Sequence, residues 1–436
     1  MAKKVLLLTY YFPPCAFGFS IRALNFAKYL PENGYEPVVL TVQEDYYKDY
    51  SARDNSQTEG ITGGLTIHRT PSLEPKTKLK PGLVSGNAAN KPNLKHKLLH
   101  WVERNLMIPD VQILWLPYAL RQGIRLLKGD DIPVILAVGP PFSAFIAAYL
   151  LKVITGRKLV LDFKDMWIGR EHHEDKSWAN KHLSRWWEKR VVKAADWVIL
   201  NTDYSLAQFQ RRYPGYAHKF SVIPNGYDPK IEKLIADIQP ERDRRNIFHV
   251  AHTGTIDTDR NPGAFIQAVA ELTRQHPGLP QCLKVTFIGK VHPEYHQLVS
   301  VLGLDRIFEF KGYLSYDDNI RLLAQADLLL LLPTHDSPDA IPGKVYEYFA
   351  LRKPILALAE DGAAKTLLAS LKAATIEDPK DKDAIKQTFW QLYQQFVQGK
   401  LSPPQIPLER FNRRNQTQQL AEVIDNIHVD KQVIFK

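Results

Sequence analysis

Cysteine is scarce: Cys15 and Cys282 are the only two in 436 residues, and they lie far apart. That pair builds no disulfide framework and fits a reducing compartment. Uninterrupted apolar runs of spanning length are also missing. The nearest approach, "PVILAVGPPFSAFIAAYLL" over 133–151, carries no charge. Gly139-Pro140-Pro141 breaks it in the middle, which suits a strand, a loop and a helix rather than one membrane span. The opening "VLLLTYYF" is short, ends in Pro13-Pro14 and lacks a small-residue cleavage site. It reads as a first buried strand, not a signal peptide. No G-x-G-x-x-G follows a strand, which removes the usual nicotinamide-dinucleotide fingerprint. No nucleic-acid-binding motif accompanies the positive charge, so nucleic acid is not an expected partner.

What is present is the composition of a soluble globular chain, 44% apolar and 24% charged, with a length that predicts two cores. The formal charge of +10 is biased toward the N-terminal half. Lys76, Lys78, Lys80, Lys91, Lys95, Lys97 and Arg104 share one segment with Leu94, Leu98, Leu99, Trp101, Val102 and Leu106. Such a basic, apolar-edged helix lies well on an anionic membrane surface, and a solvated helix face explains it equally. In "SWANKHLSRWWEKRVVKAAD", Leu183, Trp187 and Val191 form one stripe and Trp178 and Trp186 another. Helical aromatic stripes are more often core than interface, although five neighbouring cations keep a membrane-facing reading open.

Apolar strands alternate with helical segments along the whole chain. "KVLLLTY", "EPVVLTV", "PVILAVG", "KLVLDF" and "ADWVILN" fall in the first half. "IFHVAHTG", "LKVTFIG", "IFEFKGY", "ADLLLLLP" and "KPILALA" follow a restart at "FSVIPNG". This order predicts α/β architecture with two doubly wound, Rossmann-like domains and a ligand at the C-terminal ends of their strands. The expected domains are 1–215, joined by the C-terminal helix 411–436, and 216–410. That helix either packs on the second domain or crosses back to the first. Residues 45 to 110 read as an insertion or mobile loop.

The clearest chemistry sits where "ADLLLLLP" runs through "THDSPDA" into "IPGKVYEYFALRKPIL". A helix N-terminus at Gly343, with the amides of Gly343 and Val345 and the charge of Lys344, is an anion site. Glu347 lies one turn into the helix, where its carboxylate can take ribose hydroxyls, and Asp339 approaches from the turn. A capped surface helix with solvated charges is the bland alternative. In the first half, Asp165 sits at the end of the strand "KLVLDF" and is a candidate to orient or deprotonate an acceptor hydroxyl. Asp162 is a candidate for satisfying backbone groups instead.

Taken in order, "YYFPPCAFGFSIRALNFAKYLPENGYEPVVLT", "LDFKDMW", "VIPNGYDP", "ADLLLLLP…PGKVYEY" and "KPILAL" resemble the retaining glycosyltransferases of family 4, of GT-B fold, typified by sucrose synthase and mannosyltransferases of lipid-linked glycan pathways. The family's acidic residue, seven intervening residues and glutamate correspond to Asp339 and Glu347, with Asp where many members carry Glu. The resemblance implies that Asp339 meets the donor sugar hydroxyls, Glu347 the ribose, and that Arg260, with Lys344, neutralises the diphosphate. It implies donor phosphate contact at Gly18, in a loop richer in glycine among relatives, and with it at Gly254. The base is expected near Gly289-Lys290 and Gly312-Tyr313. The family's N-terminal-domain histidine has no counterpart here.

The implied reaction is retaining, metal-independent transfer from a UDP- or GDP-sugar to a glycan, glycolipid or lipid-linked acceptor. No cofactor or metal is expected, and the place is the cytoplasm, with the inner membrane face a candidate surface. Asp257-Thr258-Asp259 spells a D-x-D, which binds metal in a one-domain glycosyltransferase fold and is read here as coincidence. His172-His173 lacks the i, i+4 spacing of a helical metal site. A glycoside hydrolase would not need a cationic phosphate pocket. A non-catalytic partner subunit that keeps the fold is the remaining alternative.

Overall fold

The computed structural model describes residues 2–15, 18–47, 64–74, 105, 107–169, 177–236, 238, 246–334 and 339–429. The chain divides into two compact units: one runs to Asn225 and takes in the helix starting at Arg413, the other is Gly226–Asn412. The division therefore comes ten residues later than the sequence suggested. "FSV", read as opening the second alternation, is the last strand of the first sheet.

Among the described residues the first unit holds β1 (Lys3–Thr9), β2 (Tyr35–Val42), β3 (Thr66–Thr70), β4 (Val134–Gly139), β5 (Lys158–Phe163), β6 (Trp197–Leu200) and β7 (Phe220–Val222). They form one parallel sheet in the order β3-β2-β1-β4-β5-β6-β7. Its helices are α1 (Gly18–Tyr29), α2 (Leu116–Gly129), α3 (Ser143–Thr155), α4 (Trp178–Ala194) and α5 (Asp203–Arg212). The central strands are apolar on both faces because helices cover both. Leu6 and Leu8 enter the core with α2 and α3, while Val5 and Leu7 enter the one with α1. The C-terminal helix (Arg413–Val429) joins that second core through Leu420, Ala421, Ile424 and Ile427, and Tyr35 donates to Asp425 at 2.7 Å. It packs on the first unit, so the crossing-back alternative holds.

Two expectations change. β3 lies inside the stretch read as a loop. "TIHRT" is a half-exposed edge strand, with no apolar run to betray it. Most of the basic 76–106 segment and all of Glu171–Asp175 lie outside the described residues. On α4, Val191 is buried, but Trp178 is 74% exposed, Trp186 48% and Leu183 46%, so the second aromatic stripe is not core. The 133–151 run divides into β4 and α3, and among the described residues no helix is long and apolar enough to cross a membrane.

In the second unit, β8 (Phe248–Thr253), β9 (Leu283–Ile288), β10 (Phe308–Gly312), β11 (Leu328–Leu331), β12 (Ile355–Leu358) and β13 (Thr375–Glu377) form a parallel sheet. Its order is β10-β9-β8-β11-β12-β13. The helices are α6 (Lys230–Ala236), α7 (Gly263–Gln275), α8 (Pro293–Val301), α9 (Tyr316–Gln325), α10 (Gly343–Leu351), α11 (Ala363–Ser370) and α12 (Lys382–Val397). The two sheets thus repeat one doubly wound topology. In each the strand order reverses once, between β1 and β4 and between β8 and β11. A crevice opens at such a reversal because the connections leave in opposite directions.

Candidate active site

The reversal in the second unit gathers most of the charged groups singled out in the sequence. β8 and β11 pair through only two residue pairs, Val250 with Leu328 and Ala251 with Leu329. Beyond them side chains take over. His252 Nδ1 lies 2.9 Å from the Leu330 carbonyl, to which Tyr348 Oη also donates at 3.3 Å. Thr253 N–H donates to Tyr348 Oη at 3.1 Å, and Lys344 Nζ donates to the Thr253 carbonyl at 2.6 Å. Lys344 and Tyr348 stand one turn apart on α10, so one helix face closes the gap between the strands.

Glycine makes room for this arrangement. Gly254 has φ +130°, and a Cβ there would overlap Lys344 Nζ and come within 3.3 Å of its Cε. Gly289, at φ +119°, would bring a Cβ to 2.6 Å from the Gly254 carbonyl oxygen. Gly254 N–H donates to Ile288 at 2.8 Å and Gly289 N–H to Gly312 at 2.6 Å. The ends of β8, β9 and β10 therefore form a bare backbone ledge. Lys290 and Tyr313 follow its outer steps, both exposed, Tyr313 by 67%.

The ledge is cationic. Burial, with Arg260 nearby, brings the Lys344 ammonium down to about 7, while Glu347 and Asp257 pull the other way. Asp257 braces its loop: it accepts from the Arg260 amide at 3.1 Å, and its other oxygen lies 3.5 Å from the Arg260 guanidinium. Gly343 has open space where a Cβ would stand, so no protein atom demands glycine there. Val345 corrects an expectation: its side chain is core and its N–H already donates to Pro342 at 3.1 Å. The helix mouth is left to the amides of Gly343 and Lys344. Glu347 is half-buried, and Asp339 is almost fully buried at the start of the described part of the turn.

In the first unit, Asp165 sits partly exposed on the loop after β5, beside Trp167, which stacks on Phe142 at 4.9 Å. Asp162 is fully buried and grips Arg22 through two bonds of 2.7 Å, while Arg22 also donates to the carbonyls of Ile223 and Pro224 at 2.9 Å. Its partner is a guanidinium, not backbone. Gly18 opens α1, and its immediate neighbours Ala16 and Phe17 lie outside the described residues. Sequence reasoning passed over His252 and Tyr348. A histidine two residues before the glycine that follows β8 was the available signal.

Comparison with known proteins agrees with this architecture. The model of Glycosyltransferase Family 4 matches residues 18–231, and that of Glycosyl transferases group 1 matches 234–395. A D-inositol 3-phosphate glycosyltransferase of a Nocardioides species is 27% identical over 220 residues, covering 46% of this chain and 47% of the relative. The chain thus spans about half the length of that curated relative. Among solved structures, Anabaena Alr3699/HepE in complex with UDP superposes with a TM-score of 0.61 at 18% identity, covering 97% of this chain and all of the other. A glycosyltransferase from Rickettsia africae gives 0.64 at 13% identity, covering 99% of each chain. With both halves matched in sequence and the two doubly wound sheets matched in space, the chain belongs to the family 4 glycosyltransferases of GT-B fold.

Proposed function

We propose that the chain transfers a sugar from a nucleotide-sugar donor, with retention and without a metal, to a glycan, glycolipid or lipid-linked acceptor in cell-surface polysaccharide synthesis. The observation that carries this reading is Lys344 set against Gly254 and the Thr253 carbonyl at the β8/β11 reversal, with Arg260 near enough to act on its charge. A nucleoside diphosphate needs both parts: cations and amides for the phosphates, and bare backbone where the nucleotide comes close. Lys344, Arg260 and the α10 amides take the diphosphate, Glu347 the ribose, Asp339 the sugar hydroxyls. The base lies along Gly289-Lys290 and Gly312-Tyr313.

In the reaction the bond between the anomeric carbon and the diphosphate oxygen breaks, its electron pair leaving on the phosphate. The acceptor oxygen bonds to the same face of that carbon, and its proton passes to the departing phosphate oxygen. Neutralising the leaving group is the main electrostatic contribution, because charge develops there as the oxocarbenium-like state forms. Asp165 orients the acceptor hydroxyl on the first unit.

The test is a panel of UDP-, GDP- and ADP-sugars with EDTA present, read by melting temperature and product formation. One donor is expected to stabilise the protein and be consumed, and Lys344→Met to abolish both. UDP-sugars come first, since the Anabaena neighbour holds UDP. No stabilisation by any donor would favour the alternative, a non-catalytic partner subunit.

We also place the protein on the cytoplasmic membrane face, through the exposed side of α4. Trp178, Leu183 and Trp186 stand there among Arg185, Lys189, Arg190 and Lys193, and the helix's one acid, Glu188, is buried. Tryptophan and cations together favour an anionic bilayer surface. Sedimentation with phosphatidylglycerol vesicles should fall on Trp178→Ala/Trp186→Ala; equal sedimentation would remove this face.

A further inference from the structure

His252 is a buried titratable group at the β8/β11 reversal that the reaction above leaves without a role. It has no exposed surface, and among the described residues its Nε2 is a buried atom without a hydrogen-bond partner. A carbonyl only accepts, so the 2.9 Å contact with Leu330 assigns the ring proton to Nδ1. Nε2 is then a lone pair on a ring that cannot turn away. It lies 3.7 Å from the place a Cβ of Gly254 would fill, and Lys344 Nζ, reaching in from α10, lies closer still to that place. Burial, reinforced by the positive charge of Lys344, keeps the imidazole well below its ordinary range and therefore neutral.

We propose that His252 is a positioning residue for Lys344: its Nε2 lone pair faces the Lys344 ammonium and holds it, charged, at the seat of the donor diphosphate. The proposal rests on the donor reading above for its purpose, though not for its geometry. Its logic is electrostatic. A buried lysine beside Arg260 tends to lose its proton, yet only the ammonium neutralises a leaving diphosphate. A carboxylate against Nζ would keep the proton but repel the incoming anion. A neutral acceptor keeps it without adding negative charge at the phosphate seat. The charged groups acting on Lys344 are Arg260 and Asp257, from the loop after β8, and Glu347, from its own helix. Arg260 opposes the ammonium and the two carboxylates favour it.

Two substitutions separate the halves of the imidazole. His252→Asn places a donor near Nδ1, preserving the Leu330 bond while removing the acceptor. His252→Gln places an acceptor near Nε2 and gives up the Leu330 bond. The titration of Lys344 is followed in the ligand-free protein by NMR of 13Cε-labelled lysine, with Lys344→Arg identifying the signal. His252→Asn is expected to lower the midpoint by about one unit and to weaken UDP binding at pH 8 by about ten-fold. His252→Gln should stay near wild type in both. An unmoved midpoint in His252→Asn overturns the proposal, as does an equal drop in both variants, which would mean that only the Leu330 bond matters. If neither variant folds, Lys344→Met must shift the 15N resonance of His252 Nε2, and an unchanged resonance overturns it. Failure of wild type to bind UDP or any other nucleotide would count against the donor reading alone, since the ligand-free midpoints still decide the role of His252.

Discussion

Gly254→Ala tests the site at its tightest point. A residue with a Cβ at φ +130° sits in a region that L side chains rarely adopt, at a cost of about 1–3 kcal/mol. The new methyl also overlaps the Lys344 ammonium. That ammonium ends a flexible side chain, so it yields, but in yielding it gives up its 2.6 Å bond to the Thr253 carbonyl, worth about 1.5–3 kcal/mol for a charged donor. Together these give a loss of roughly 2.5–6 kcal/mol in urea unfolding, with UDP affinity falling because Lys344 is no longer aimed. The two contributions separate in a cycle with Lys344→Ala. Once the ammonium is absent only the backbone strain remains, so the double variant should be more stable than additivity allows by about 1.5–3 kcal/mol, the worth of the lost bond. Unfolding midpoint and UDP titration read the result. A Gly254→Ala protein with wild-type stability and affinity, or strict additivity in the cycle, would refute this account of the ledge.

Lys344 also sets a pH dependence. Its folded value near 7 lies below the ordinary 10.5, so between these values the unfolded chain binds the extra proton and stability rises with pH. Lys344→Met should therefore stabilise the protein more at pH 6 than at pH 10, as read by urea titrations at the two pH values. UDP prefers the protonated form, so its affinity should fall by up to about ten-fold per unit above pH 7, a slope that calorimetry would find abolished in Lys344→Met. Gly343→Ala meets no protein atom, so melting temperature should hold or rise slightly while UDP affinity drops; lost stability would show that the glycine serves the fold. Asp162→Asn leaves the Arg22 guanidinium buried without its counter-charge and should cost about 3–5 kcal/mol in urea unfolding, marking a structural rather than catalytic carboxylate.

Much of the architecture was legible in the chain. A strand buried on both faces must be apolar throughout, and runs such as "KVLLLT" and "ADLLLLLP" therefore declare a parallel sheet between helices. Glycine and lysine at the head of α10 suggested an anion site, because a helix N-terminus with an added cation favours negative charge. The sequence did not distinguish β3 from a loop, since an edge strand with one partner needs no continuous apolar run. Nor did it separate Asp162 from Asp165. Their spacing along one strand and its loop is similar, and only the arrival of Arg22 from α1 makes the first a buried ion pair.

The sequence by itself determined the fold class, the two-unit plan and the charges at the mouth of α10, since these follow from periodicity and residue type within short windows. The tertiary structure alone decided that Lys344, Tyr348, His252 and Gly254 form one device. Lys344 and Gly254 lie ninety residues apart, and they meet only because β8 and β11 are neighbours at a reversal that no local pattern records. The shift of Lys344 toward neutrality and the unpartnered lone pair on His252 Nε2 come from that meeting, because both need burial between elements distant in the sequence.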